Sequence, residues 1–402
     1  MIRTATRLEG IGEYYFSRKL REIEEMNGSG KAVINLGIGS PDLPPHPDVI
    51  RVLQEESAKP DVHAYQSYKG SPVFRKAAAA WYKRWYDVSL DPDTQILPLI
   101  GSKEGIMHIC MTYLDKGDVA LVPNPGYPTY RSAVQLAGGR VAEYDLTEDR
   151  SWFPDFAALD AFMAEQAKDP SAGKVKLMFV NYPHMPTGRL PEKGMLMELL
   201  DFSRRHQVLI VHDNPYSFIL NDDPMSMLSL PGAAELVLEL NSLSKSQNMA
   251  GWRIGMLCGA EKRIGEVLRF KSNMDSGMFL PVQLAAATAL GLGQEWYDSV
   301  NDVYRLRRTE AFALLDILEC GYDTTQAGMF VWARIPDRYA DCYALSDGIL
   351  HGANVFITPG GIFGSAGDRF VRVSLCSREE RIREARERIT AWKALDASTN
   401  MS

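Results

Sequence analysis

The chain has 402 residues, 46% of them apolar and 24% charged, a composition that excludes disordered, collagen-like and coiled-coil classes. Its 44 basic and 51 acidic side chains leave a net charge of −7 with no block of like charge, so neither nucleic acid nor an anionic membrane is an expected partner. No stretch approaches the ~20 apolar residues that cross a bilayer. The first residues lack the apolar core of a signal peptide, and five scattered cysteines without a CxxC pair fit a reducing cytoplasm.

At roughly 150 residues per domain, two or three units are expected. Residues 1–45 hold no core of their own and read as an N-terminal arm lying on another surface, of the same chain or of a second subunit. Within 46–290, strand-length apolar runs at Gln95–Ile100, Val119–Val122, Leu177–Asn181, Val208–His212, Leu236–Leu240 and Met256–Gly259 are apolar on both faces. Such runs belong to a sheet covered on both sides. Helix-like segments at Lys103–Leu114, Asp155–Lys168 and Glu192–His206 separate them, an α/β alternation that predicts a mostly parallel sheet. Over 291–402 the pattern changes to a long helix (Glu295–Glu319), a strand (Met329–Ile335), another helix, and strands at Val355–Thr358 and Phe370–Leu375. That reads as a smaller α+β domain.

Several chemistries are excluded by absent motifs. Gly37-Ile-Gly39 runs into Ser40 and Pro41 rather than completing GxGxxG, and no P-loop, HExxH or GxSxG occurs. The seven histidines show no metal-ligand spacing, so no metal is expected.

One segment carries chemistry of its own. Asn241-Ser-Leu-Ser-Lys245-Ser-Gln-Asn-Met-Ala-Gly-Trp-Arg253-Ile-Gly follows an apolar strand directly. A lysine confined beside a second cation loses its proton and attacks a carbonyl. Ser242, Ser244 and Arg253 are suited together to hold a phosphate, the arginine through its forked donors. The same residues also suit a surface lysine in a polar loop.

This segment resembles the lysine motif of the class I/II aminotransferases, fold-type I pyridoxal-phosphate enzymes, and motifs in family order extend the likeness from about Leu36 to Ser377. The resemblance implies a large domain with a mostly parallel sheet covered by helices plus a smaller α+β domain, and pyridoxal 5′-phosphate as cofactor. It further implies amino-acid and 2-oxo-acid substrates, ping-pong kinetics and a homodimer with shared sites. By the same likeness Lys245 bonds the cofactor and carries the proton, while Ser242 and Arg253 hold its phosphate. Gly101, Ser102 and Lys103, in Leu99-Ile-Gly101-Ser102-Lys103-Glu-Gly105, become the phosphate cradle at a helix start.

Asp213, in Val208-Leu-Ile-Val-His-Asp213-Asn-Pro-Tyr216, is matched to the carboxylate on the pyridine nitrogen, and Tyr216 to the donor to the phenolic oxygen. Tyr127, in Asn124-Pro-Gly-Tyr127-Pro-Thr-Tyr130, is matched to the stacking aromatic. Tyr65, in Ala64-Tyr65-Gln-Ser-Tyr68-Lys-Gly70, is matched to a tyrosine reaching the phosphate from the partner subunit. Arg372, in Phe370-Val-Arg372-Val-Ser-Leu375, is matched to the α-carboxylate clamp, and Gly39 to a backbone contact with substrate.

The chain departs from the family at His184-Met185-Pro186-Thr187-Gly188, where an asparagine is usual in place of Met185. A thioether cannot donate a hydrogen bond, which leaves Tyr216 alone on the phenolic oxygen or brings in His184 or Asn181. Lys271 and Arg189 are candidates for a distal substrate carboxylate. The segments Lys271–Phe279 and Leu280–Gln283 are similar to those of the alanine and LL-diaminopimelate aminotransferase branches. A carbon–sulfur β-lyase starts from the same proton abstraction and is the alternative. A regulator built on this fold carries an added basic module, for which the motifs leave no room.

Overall fold

The apolar runs of the middle of the chain become strands whose successive side chains enter two different cores. Leu177 and Phe179 pack with Leu97, Ile109 and Val211 on one face, whereas Met178 and Val180 pack with Leu121, Leu199 and Ile210 on the other. Alternation of direction along a strand therefore demands apolar residues at every position when helices cover both faces.

The computed structural model describes residues 2–9, 11–13 and 15–399. It opens with α1 (Tyr15–Gly28), β1 (Ile34–Asn35), α2 (Pro47–Ser57) and α3 (Pro72–Tyr86). The alternating region comprises β2 (Ile96–Leu99), α4 (Ser102–Tyr113), β3 (Val119–Asn124), α5 (Pro128–Leu136), β4 (Arg140–Asp145) and α6 (Phe156–Gln166). It continues through β5 (Val175–Asn181), α7 (Lys193–His206), β6 (Leu209–Asp213), β7 (Val237–Ser242) and β8 (Gly255–Cys258). Then come α8 (Glu261–Lys271), α9 (Leu280–Leu290), α10 (Gln294–Ile317), β9 (Gly321–Tyr322) and β10 (Phe330–Arg334). The last elements are α11 (Cys342–Ala353), β11 (Val355–Phe356), β12 (Thr358–Pro359), β13 (Phe370–Ser374) and α12 (Glu379–Thr399).

The large sheet has seven strands in the order β2-β8-β7-β6-β5-β3-β4. Every pairing in it is parallel except those of β8, which runs antiparallel to both β2 and β7. Two reversals restore the direction of β2, so β2, β3, β5, β6 and β7 all end on the same edge. Ligands of open α/β sheets bind beyond that carboxyl edge. Charged and largely exposed, β4 has no apolar run to announce it; those charges protect a sheet edge.

The smaller sheet is β12-β13-β10-β9, all antiparallel. The expected strand Val355–Thr358 is two strands: β11 pairs with β1, and β12 with β13. The N-terminal arm finds its cover within the chain, since Ile23 and Met26 of α1 pack with Val33, Leu350 and Phe356. Further along, the buried Arg307 of α10 donates to both carboxylate oxygens of Asp42 at 2.6 and 2.9 Å, fixing the loop that follows β1. Removing Asp42 would leave the buried Arg307 charge without its carboxylate, the change that costs up to about 3–5 kcal/mol in a fully buried pair and less in this part-buried one.

Candidate active site

A cavity of about 390 Å³ opens beyond the shared strand edge. Each strand contributes where it stops, because the chain must turn there and leaves polar groups beyond the apolar run. Asp213 ends β6 in register with Asn181 at the end of β5, Ser242 ends β7, and Tyr127 follows β3. All four line the cavity together with Gly39, Ser102, Lys103, Tyr216, Lys245, Arg253 and Arg372.

Lys245 is partly buried and donates from Nζ to the Gly39 carbonyl at 2.7 Å. Burial lowers its pKa, the nearby Arg372 and Arg253 push in the same direction, and Cys376 opposes them. A Cβ at Gly39 would strike the Phe330 ring, so glycine is what lets this backbone come within reach of the amine. Burial raises Asp213 to about 6, against the pull of Tyr130, His212 and Lys245. Its Oδ2 accepts from the Tyr130 hydroxyl at 2.8 Å, whereas buried Oδ1 has no partner among the described residues.

Gly101 takes φ 82° as the N-cap of α4, a left-handed value that favours glycine. Ser102 Oγ beside it is buried without a partner among the described residues. Arg253 bends round this turn, donating to the carbonyls of Ala250 at 2.8 Å and Ile100 at 3.4 Å. A helix start, a hydroxyl and a guanidinium thus converge as an anion site.

Arg372 enters from β13, donating to the Gly37 carbonyl at 2.8 Å. Its guanidinium lies 3.8 Å from the Phe330 ring centroid and 4.6 Å from that of Phe363. Its Nη1 is 3.3 Å from Met185 Sδ.

These groups fit pyridoxal phosphate. The unpartnered Asp213 oxygen suits a protonated ring nitrogen, the α4 cradle suits a phosphate, and the cavity volume suits a small cofactor.

Tyr65 is 92% exposed and does not line the cavity of its own chain, so its expected place in the site of a second copy is unchanged. Three other expectations change. Lys271 does not line the cavity: its buried ammonium pairs with Asp275 and, at 3.6 Å, with Glu104. Glu104, His108 and Asp275 approach like metal ligands, but Lys271 already supplies the positive charge there. Arg189 is turned to Glu192 and the Phe153 ring. The Met185 question narrows as well. Asn181 donates one amide N–H to the Asp213 carbonyl (2.7 Å) and accepts from Met185 N–H (2.8 Å). His184 lies outside the cavity lining, bonded to Thr187 at 2.8 Å, which leaves Tyr216 and the second N–H of Asn181.

Sequence reasoning missed Tyr130 and the arm residues Phe16, Leu20 and Ile38, which also line the cavity. Tyr130 sits three positions after Tyr127, and Phe16 and Leu20 are four apart on α1, spacings that share a helix face.

The family model for aminotransferase class I and II matches residues 31–389. LL-diaminopimelate aminotransferase of Oleidesulfovibrio alaskensis is 38% identical over 390 residues, covering 96% of this chain and 98% of that protein. The enzyme of the same name from Moorella thermoacetica is 39% identical over 387 residues, covering 96% and 97%. Among solved structures, apo-BacF from Bacillus subtilis superposes with TM-score 0.90 at 36% identity, over 97% of this chain and 98% of that one. An aminotransferase from Staphylococcus aureus reaches 0.86 at 27% identity, over 98% and 100%.

Proposed function

Because the chain belongs to the aminotransferase class I and II family, and so moves amino groups between L-amino acids and 2-oxo acids with pyridoxal phosphate, we propose that Lys245 is its cofactor-bonding and proton-carrying residue. One observation carries the assignment: a lysine amine with a lowered pKa shares its cavity with the unpartnered oxygen of Asp213. An uncharged amine has the lone pair needed to join a carbonyl and to accept and return a proton. Pyridoxal phosphate, when bound, supplies the electron-withdrawing ring that stabilises charge at the substrate α-carbon.

The remaining residues bind and orient. Asp213 holds the ring nitrogen, Tyr127 covers the ring face, and Tyr216 serves the phenolic oxygen. Gly101, Ser102, Lys103, Ser242 and Arg253 hold the phosphate. Arg372 receives the α-carboxylate side-on, and Gly39 lines the entrance. Tyr65 completes the phosphate site of a second copy in a homodimer. The chain divides into an arm (1–45), a large domain (46–290) and a small domain (291–402). A cytoplasmic setting suits the five cysteines, all free and buried; among the described residues no helix is long and apolar enough to cross a membrane. Nothing in the cavity favours the carbon–sulfur lyase alternative.

The test is borohydride reduction of the holoenzyme followed by peptide mass analysis. The cofactor should be fixed on Lys245, and Lys245→Ala should lose both the label and turnover. Label on any other lysine refutes the assignment.

A further inference from the structure

Resting on the assignment of Arg372 to the α-carboxylate, we propose that the amino donor carries an uncharged, apolar side chain seated against Phe16, Leu20 and Ile38. A substrate held by its carboxylate at Arg372 and its amine near Lys245 must send its side chain toward the rest of the lining. Phe16 and Leu20 of α1 and Ile38 of the loop after β1 are its large apolar share, beside the smaller Ser40, Pro215, Ser244 and Ala250, with Phe330, Phe363 and Met185 around the guanidinium. Leu20 and Ile38 are 40% and 36% exposed, apolar surface that an apolar side chain would cover.

Charge complementarity points the same way. Among the described lining residues Asp213 is the sole carboxylate, and it is held by Tyr130 and committed to the ring nitrogen. Of the lining cations, Lys103 and Arg253 stand at the α4 cradle, and Lys245 and Arg372 have their roles. The two cations that sequence offers for a distal carboxylate are engaged elsewhere, Lys271 with Asp275 and Glu104, and Arg189 with Glu192. The segment expected from a second copy, Ala64-Tyr65-Gln-Ser-Tyr68-Lys69-Gly70, adds two aromatic rings, one lysine and no carboxylate. A side chain ending in both ammonium and carboxylate, as diaminopimelate does, would surrender hydration of its ammonium without an acidic partner in exchange. The proposal therefore separates this chain from relatives that are named for that donor.

The test is a half-reaction screen on the holoenzyme, following the cofactor's absorbance change after adding one amino acid with no 2-oxo acid present. L-Phenylalanine, L-leucine and L-methionine should react at least about tenfold more efficiently than LL-diaminopimelate or L-aspartate, the scale on which a pocket sorts side chains. Calorimetric binding of hydrocinnamate, which has no amine to react, should exceed that of glutarate and weaken several-fold in Phe16→Ala. Either L-aspartate or LL-diaminopimelate ranking first would overturn the proposal. Arg372→Ala separates the two levels of inference. If it impairs every donor while a charged donor ranks first, the apolar proposal alone falls. If it leaves every donor unchanged, the site assignment beneath it falls.

Discussion

Tyr130→Phe removes one oxygen from a buried network without disturbing its packing. The ring stacks on Phe179 with centroids 4.8 Å apart, a contact phenylalanine keeps. What is lost is the hydrogen bond to Asp213 Oδ2, after which neither carboxylate oxygen has a side-chain donor. Burial already holds Asp213 at about 6, above its ordinary 3.8. The folded, cofactor-free protein therefore binds this proton more tightly than the unfolded chain does. Its contribution is complete below about pH 4 and is lost as pH rises through 6; two units at about 1.4 kcal/mol each make the loss about 3 kcal/mol. A hydrogen bond to a charged acceptor is worth about 1.5–3 kcal/mol, equivalent to about one to two pH units. Tyr130→Phe should move the midpoint upward by that amount and extend the loss of stability past neutrality. Denaturant unfolding of the cofactor-free protein from pH 4 to 9, referenced to Asp213→Asn to remove other groups, measures it. A Tyr130→Phe profile that overlays the parent would show that this hydroxyl does not hold the carboxylate in solution.

Arg372→Ala should retain bound cofactor and its spectrum while kcat/KM toward amino acids falls by about 30- to 5,000-fold, the equivalent of about 2–5 kcal/mol for a lost bidentate pair; an unchanged kcat/KM moves the carboxylate site elsewhere. Mixing inactive Lys245→Ala chains with inactive Tyr65→Phe chains should restore activity through hybrid dimers, and a fully active monomer at assay concentration refutes shared sites. Met185→Asn adds a donor where the thioether has none, so the holoenzyme's absorbance titration should shift to lower pH by up to about one unit, the worth of a modest hydrogen bond. Superimposed titrations would assign Met185 to packing against Arg372 alone.

The chemistry was legible because its residues lie in short contiguous segments. Lys245 with Ser242 and Arg253, Gly101 with Ser102, and Asp213 with Tyr216 each fall within one strand–turn unit, so local spacing already groups them. The parallel sheet was legible for a similar reason, since burial on two faces writes an uninterrupted apolar run such as Leu177–Asn181. Side-chain partners across the fold were not. Lys271 has the composition of a substrate ligand, yet folding places it against Glu104 and Asp275, from an element more than 160 positions away in one case. Sequence offers Asn181 as a stand-in for the donor that Met185 lacks, and only the pairing of β5 with β6 shows that one of its N–H groups is turned to the Asp213 backbone. The reversed direction of β8, the split of Val355–Thr358 between two sheets, and the return of α1 to the cavity mouth depend on contacts between distant segments. Residue order along the chain specifies which groups are present and which neighbours share a turn; burial and pairing between remote elements determine which of those groups still have a free valence to offer a ligand.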